Sequence, residues 1–193
     1  MQTAHELFLH ELSDMLDAEQ KLVEALGKQA EESSRPDLQK AFESHRKQTE
    51  KQVERIQQVF ESLDEESEDA ECKGIKGILE EHDEFMEEED PSEDLVDIFN
   101  AGAACKVESY EIANYTSLIN LAQQMGHTKA VKLLSQNLKE EQQTLKKMEG
   151  FVKKLKPEQL HQEEEGEQES GEEMEESSSQ RKQPSRGRAR RVA

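Results

Sequence analysis

Four side chains that can bind metal ions occupy positions where the helical pattern of this sequence calls for apolar core residues. Each lies in a different long amphipathic segment: Glu19, His45, Glu108 and Glu141. Burying an isolated charged side chain in an apolar helix interface is energetically costly. Helical bundles that contain several such side chains commonly use them to bind metal ions. The predicted chemistry is therefore cation binding by carboxylate oxygens and one imidazole nitrogen.

The spacing of apolar residues places these four side chains in the buried stripes. Glu19 continues a series of steps of three or four residues made by Leu12, Leu16, Val23 and Leu26. The other three side chains continue equivalent series in their own segments. Because a helix rises about 1.5 Å per residue, antiparallel pairing of the segments brings all four to about the same level. A shared depth favours one common site.

Two further donors lie one turn away from this set. Glu111 follows Glu108 by three residues and Gln48 follows His45 by three, so each pair shares a helix face. Oxygen-rich ligation with one imidazole suits iron or manganese better than zinc. Four ionised glutamates balance two divalent cations, which predicts two iron or manganese ions per chain. Candidates for supporting hydrogen bonds are Thr49, Tyr110, Tyr115 and Thr144.

A metal-free interpretation stands beside this one. Single polar residues in helix seams are commonly hydrogen-bonded core groups that fix the register of packing. On that alternative the same side chains form a polar network without metal. His82, in a weakly patterned and strongly acidic segment, is interpreted as part of a solvated face, and Cys105 as core packing.

The apolar periodicity predicts an all-α fold. Four helices of similar length and one shorter helix are expected at about residues 3–32, 36–63, 73–88, 92–125 and 128–155. Short turns join the first two and the last two long helices, and a long crossover that contains the short helix joins the pairs. This is the connectivity of a ferritin-like antiparallel four-helix bundle. A long coiled coil is the alternative, which the breaks and turns disfavour.

Composition limits the classes of partner. The net charge of −20 argues against nucleic acid as a partner of the bundle. Two cysteines without a CxxC motif, no signal-peptide pattern and no long apolar run predict a cytoplasmic protein that does not enter a membrane. The predicted domains are a bundle at 1–157 and a disordered acidic-then-basic tail at 158–193, whose basic stretch 181–191 is a candidate contact for anionic partners.

Several stretches resemble a known family. They are LFLHELSDMLDAEQKLVEAL, AFESHRKQTEKQVERI, KVESYEIANYTSLINLAQQMGHTKAVKLL and LKEEQQTLKKM. Together, over about residues 3–156, they resemble the ferritin-like YciE/YciF family of bacterial stress proteins. The resemblance implies a ferritin-like bundle, a homodimer and a di-iron-type site between the helices, but no established reaction. The family tends to have glutamate where this chain has Gln48, which offers only a neutral oxygen.

The leading hypothesis is a cytoplasmic stress-response protein with a di-iron or di-manganese carboxylate centre and peroxide- or iron-related redox activity. The predicted metal ligands are Glu19, His45, Gln48, Glu108, Glu111 and Glu141. The alternative is a non-enzymatic dimeric stress or interaction protein with a metal-free polar core. Whether the chain is an enzyme stays open at this point.

Overall fold

Five α-helices make up residues 2–156, the part of the chain that this computed structural model describes. They are α1 (Ala4–Glu32), α2 (Pro36–Leu63), α3 (Lys73–Glu89), α4 (Glu93–Gln124) and α5 (Thr128–Lys154). The predicted helices therefore agree with the observed ones to within a residue or two, because start and stop signals lie in the local sequence. The all-α prediction is confirmed.

Those signals are visible at the helix ends. The Thr3 side chain accepts a hydrogen bond from the Glu6 backbone N–H at 3.1 Å, and the Glu6 carboxylate accepts one from the Thr3 backbone N–H at 3.1 Å. This reciprocal pair satisfies two N–H groups that would otherwise lack partners. Pro36 occupies the first turn of α2, where no N–H is needed. Gly126, with φ of +77°, allows the reversal between α4 and α5.

The four long helices form a closed ring in which α1 packs against α2 and α4, and α5 packs against the same two helices. At one end Asp97 of α4 accepts hydrogen bonds from the backbone N–H and the hydroxyl of Ser34, at 2.9 and 2.7 Å. At the other end the rings of His5 and His127 lie 5.8 Å apart. Every neighbouring pair of long helices is therefore antiparallel. This is the ferritin-like bundle with a long crossover that the sequence predicted.

The crossover helix α3 lies against α1 and α4. Its start is fixed by the Cys72 backbone N–H, which donates to Asp17 of α1 at 2.7 Å. Next to it, Gly74 leaves space for the ring of Tyr110, because a Cβ at this position would lie 2.5 Å from that ring. Near its other end, the imidazole of His82 lies 2.7 Å from the side-chain oxygen of Asn100 on α4. The crossover is thus attached to the bundle along its length.

The bundle interior is apolar towards both ends and polar in the middle. Phe8, Leu118 and Ile119 are buried near one end, and Leu26 and Leu38 near the other. Between these layers lie the buried polar residues of the next section. Cys105, predicted to be core, is only half-buried. The sequence predicts a polar layer at this depth, and the helices bring it together there.

None of the helices in residues 2–156 has the length and apolar character needed to cross a membrane. The predicted tail at 158–193, including the basic stretch 181–191, lies outside the described residues.

Candidate metal centre

His45, Glu108 and Glu141 meet in the middle of the bundle. The His45 Nε2 atom lies 3.2 Å from a Glu108 carboxylate oxygen and 3.8 Å from a Glu141 carboxylate oxygen. One donor atom from each of the three residues lies within 4.8 Å of the other two. The side chains of Glu108 and Glu141 are inaccessible to solvent. Three helices therefore present an imidazole and two carboxylates to one small volume.

Glu19 and Glu111 are also buried, and both are electrostatically coupled to this cluster. Burial raises the pKa of Glu19 well above its ordinary value, and the charge of Glu141 raises it further. Burial likewise raises the pKa of Glu111, with contributions from Glu19, Glu141 and Glu108. The pKa of Glu108 is raised by burial and then by Glu141. For Glu19, Glu108 and Glu111, burial and the neighbouring carboxylates therefore make ionisation less favourable.

Many polar atoms of this cluster lack hydrogen-bond partners although they are buried. They are one oxygen each of Glu19, Glu111 and Glu141, both oxygens of Glu108, and Nδ1 of His45. The short distance between His45 and Glu108 does not have the alignment of a hydrogen bond. Buried polar atoms normally have hydrogen-bond partners, and a bound ion is one of the recognised reasons for exceptions. The donor set therefore fits a bound cation.

A chain of side chains supports the cluster from one side. Tyr115 donates a hydrogen bond to Glu19, and the amide nitrogen of Asn137 donates to the Tyr115 hydroxyl oxygen at 2.9 Å. The Arg55 guanidinium donates to the Asn137 side-chain oxygen at 2.7 Å. These bonds fix the orientation of one Glu19 oxygen and leave the other open, which is the usual way in which protein groups orient metal ligands.

A second support comes from Gln52, which is fully buried and donates its amide N–H to Glu141. Of the four supporting residues that the sequence predicted, only Tyr115 bonds to a carboxylate of the cluster. Thr49 and Thr144 donate to backbone oxygens of their own helices, and Tyr110 lies 3.2 Å from the sulfur of Cys72.

Gln48 has a different environment from the other predicted ligands. Its amide nitrogen donates to the Thr144 hydroxyl at 3.1 Å. With His45, these two residues line a pocket between α2 and α5. The structure therefore places Gln48 beside the imidazole, on the side of a pocket.

The interpretation of His82 as part of a solvated face is wrong. Its side chain is 5% exposed and packs between α1 and α4, 3.4 Å from a Glu32 oxygen. The acidic residues around it in sequence do face solvent, which is why composition alone pointed to an exposed segment. Burial comes from the docking of α3, which the local pattern does not encode.

Asn137 is a buried residue of the polar layer that the sequence did not predict. The buried positions of α5 run through Leu134, Asn137, Glu141, Thr144 and Met148, in steps of three and four. Three of these five are polar, so a search for apolar periodicity selects the leucines beside them. A search for any residue in phase with Glu141 would have found Asn137.

Comparison with known families places this geometry in context. The family described as "Domain of unknown function (DUF892)" matches residues 3–161. The chain belongs to this family. The protein YciF of Escherichia coli (strain K12) is 41% identical over 145 residues, which cover 75% of this chain and 87% of YciF. The predicted resemblance to the YciE/YciF family is therefore confirmed.

Solved structures of DUF892 relatives share the fold. The crystal structure of the E. coli stress protein YciF matches with a TM-score of 0.75 at 39% identity, covering 79% of this chain and 96% of that one. The protein YcfI from Rhodopseudomonas palustris matches with a TM-score of 0.74 at 37% identity, covering 77% and 94%. The match extends over nearly the whole of both relatives.

Proposed function

We propose that this protein is a ferritin-like stress-response protein that binds a di-iron or di-manganese centre in the middle of its bundle. The observation that carries the proposal is the meeting of His45, Glu108 and Glu141 in one buried volume, with Glu19 and Glu111 electrostatically coupled to it and with carboxylate oxygens that have no hydrogen-bond partner. The proposed ligands are Glu19, His45, Glu108, Glu111 and Glu141. The stress role rests on similarity to YciF, which is described as a stress protein.

Charge balance supports two divalent cations. Four ionised carboxylates in a volume closed to solvent carry a charge that a protein interior does not tolerate without compensation. Two divalent ions neutralise that charge when the imidazole binds as an uncharged ligand. Carboxylate oxygens with a single imidazole suit iron and manganese. Gln48 is not needed for this balance, since an amide carries no charge.

The chain's own residues would hold and orient such a centre. Tyr115 and Gln52 direct Glu19 and Glu141 through one hydrogen bond each. The apolar layers on either side keep bulk water out. When bound, paired iron or manganese ions supply successive one-electron steps, the chemistry used in peroxide reduction and ferrous-ion oxidation.

Metal loading tests the proposal. Purified protein is stripped, incubated anaerobically with ferrous or manganous ion, desalted and analysed for metal. We expect about two ions per chain for the native protein and fewer than about half of that for Glu141→Gln, which removes a charged ligand without leaving a cavity. Glu149→Gln, an exposed change on the same helix, is the matched control and should load fully. Substoichiometric metal in the native protein, unchanged by Glu141→Gln, would refute the proposal.

A second candidate is a non-enzymatic dimeric stress or interaction protein with a metal-free polar core. It is favoured by the hydrogen bonds that Tyr115 and Gln52 already make to the cluster, and by the raised pKa values of Glu19, Glu108 and Glu111, which promote protonated carboxyl groups. The two candidates differ in what a chelator does to thermal stability, as described in the Discussion.

A further inference from the structure

A pocket of about 160 Å³ between α2 and α5 reaches the candidate metal centre. It is named here the α2–α5 pocket, and its lining consists of Ala41, Ser44, His45, Gln48, Gln143, Thr144 and Lys147. Ser44, Gln143 and Lys147 are exposed at the rim, whereas His45 and Thr144 are buried. The pocket therefore runs from solvent to the imidazole.

His45 connects the pocket with the buried carboxylates. It lines the pocket, and its Nε2 atom is 3.2 Å from Glu108. The ring is only 3% exposed, and its Nδ1 atom has no hydrogen-bond partner. A small molecule in the pocket would therefore lie next to the ring that contacts the glutamate cluster.

The lining of this pocket is unusual for so acidic a chain. It offers hydroxyl, amide, imidazole and ammonium groups and no carboxylate. Two larger pockets in the described part of the chain differ in this respect. One of about 260 Å³ includes Glu24 and Asp83, and one of about 580 Å³ includes the acidic residues Glu11, Asp14, Glu68, Asp69 and Glu71. The α2–α5 pocket is therefore poorly suited to cations.

We propose that the α2–α5 pocket is the entrance by which a small anionic or uncharged polar ligand, of the size of a peroxide, reaches the metal centre. Its volume holds a few water molecules, which excludes large organic substrates. Lys147 at the rim attracts anions, and the hydroxyl and amide groups of the walls can replace their hydration. The inference rests on the proposed function, since the ligand's destination is the bound metal.

Azide is the probe, because it is a small anion whose binding to ferric iron produces a charge-transfer absorption band. Gln143→Trp fills the rim of the pocket, and Gln142→Trp places the same bulk on the neighbouring exposed position outside it. In iron-loaded, oxidised protein we expect Gln143→Trp to slow azide binding at least about tenfold relative to Gln142→Trp. Ser44→Trp blocks the pocket from α2 and should act in the same way, which covers the case that one variant fails to fold.

The charge at the rim is tested separately. Lys147→Glu and Lys146→Glu change the net charge equally and lie next to each other on α5, but only Lys147 lines the pocket. We expect Lys147→Glu to slow azide binding at least about threefold more than Lys146→Glu at low ionic strength, with the difference shrinking in high salt.

The outcomes separate this inference from the proposed function. If the native protein holds no stoichiometric metal, the proposed function fails and the inference falls with it. If metal is bound but azide binds the blocked variants as fast as it binds Gln142→Trp, the pocket is not the entrance. The same conclusion follows if azide gives no absorption band at all. In both cases the proposed metal centre is unaffected. Slower binding in both blocked variants, with unchanged metal content, supports the entrance.

Discussion

At the scale of single residues, three glutamates of the cluster, Glu19, Glu108 and Glu111, are held in an environment that favours their protonated form when no cation is present. The pKa of Glu19, Glu108 and Glu111 is raised in each case, first by burial and then by neighbouring carboxylates. The same repulsion is what a divalent cation relieves. These residues are therefore poor contributors to the stability of the metal-free fold and good contributors to metal affinity.

This gives the metal-free protein a defined pH dependence. A carboxyl group with a raised folded pKa stabilises the fold fully below its unfolded value, near pH 4.5, and loses that contribution as pH rises through its folded pKa. We therefore expect the melting temperature of chelator-treated protein to increase as the pH is lowered from 7.5 to 5.5. Glu108→Gln should flatten this slope, because it removes one of the titrating groups.

The exposed substitution Glu149→Gln is the control for general charge repulsion in this acidic chain and should keep the native slope. Thermal melts followed by circular dichroism at matched ionic strength measure both variants. An identical slope for Glu108→Gln and the native protein would mean that the buried carboxyl groups do not titrate as described.

At the scale of helices, a hydrogen-bonded contact from α4 fixes the start of α2, which lacks a capping side chain in its own sequence. The start of α2 has no side-chain cap of its own. Asp97 of α4 instead holds the turn before this helix, accepting hydrogen bonds from the backbone N–H groups of Ser34 and Arg35 at 2.9 and 3.2 Å. One buried carboxylate thus joins the α1–α2 turn to the start of α4 and sets the register between the two helix pairs.

Asp97→Ala should destabilise the fold by about 1–3 kcal/mol, because it removes a buried carboxylate that accepts three hydrogen bonds from Ser34 and Arg35. Asp97→Asn keeps one oxygen and should cost less. Glu93→Ala, on an exposed position one turn earlier in α4, should change the free energy of unfolding by less than about 0.5 kcal/mol. Urea unfolding of the three variants measures the differences. If Asp97→Ala lowers the free energy of unfolding no more than Glu93→Ala does, the hydrogen bonds between Asp97 and the α1–α2 turn are unimportant for stability.

At the scale of the whole molecule, the bundle encloses its polar layer between two apolar ends. Few large apolar side chains are exposed in residues 2–156, and Leu7, Leu95 and Val152 belong to three different helices. A broad apolar interface is therefore not evident on the described surface. The homodimer and the cytoplasmic location stay predictions.

Metal removal should lower the thermal stability of the whole fold. If the proposed centre is present, a chelator should lower the melting temperature of metal-loaded protein at pH 7.5 by about 10 °C or more, because a ligand that binds only the folded state stabilises it. Adding back ferrous or manganous ion should restore the original value. Glu141→Gln should melt at the same temperature with and without chelator. A native protein indifferent to chelation would favour the metal-free polar core.

The sequence by itself determined the helices, their boundaries and the four glutamates and one histidine of the polar layer. Helix signals are local, since capping residues, prolines and steps of three or four all act within one turn or a few. Four of these residues could be identified because each interrupts an apolar stripe, namely Glu19, His45, Glu108 and Glu141. Glu111 could be identified because it follows Glu108 by three residues, on the same helix face. The lengths of the turns and of the crossover predicted the connectivity of the bundle, and the family resemblance implied the same fold.

Only the tertiary structure decided which polar groups support the layer and which line the route to it. The burial of His82, the hydrogen bond from Gln48 to Thr144, and the place of Asn137 in the core all depend on a neighbouring helix. The physical reason is that a helix face has no fixed environment until another element covers it. Whether a polar side chain faces solvent, a carboxylate or a pocket is settled by packing between segments that are distant in sequence.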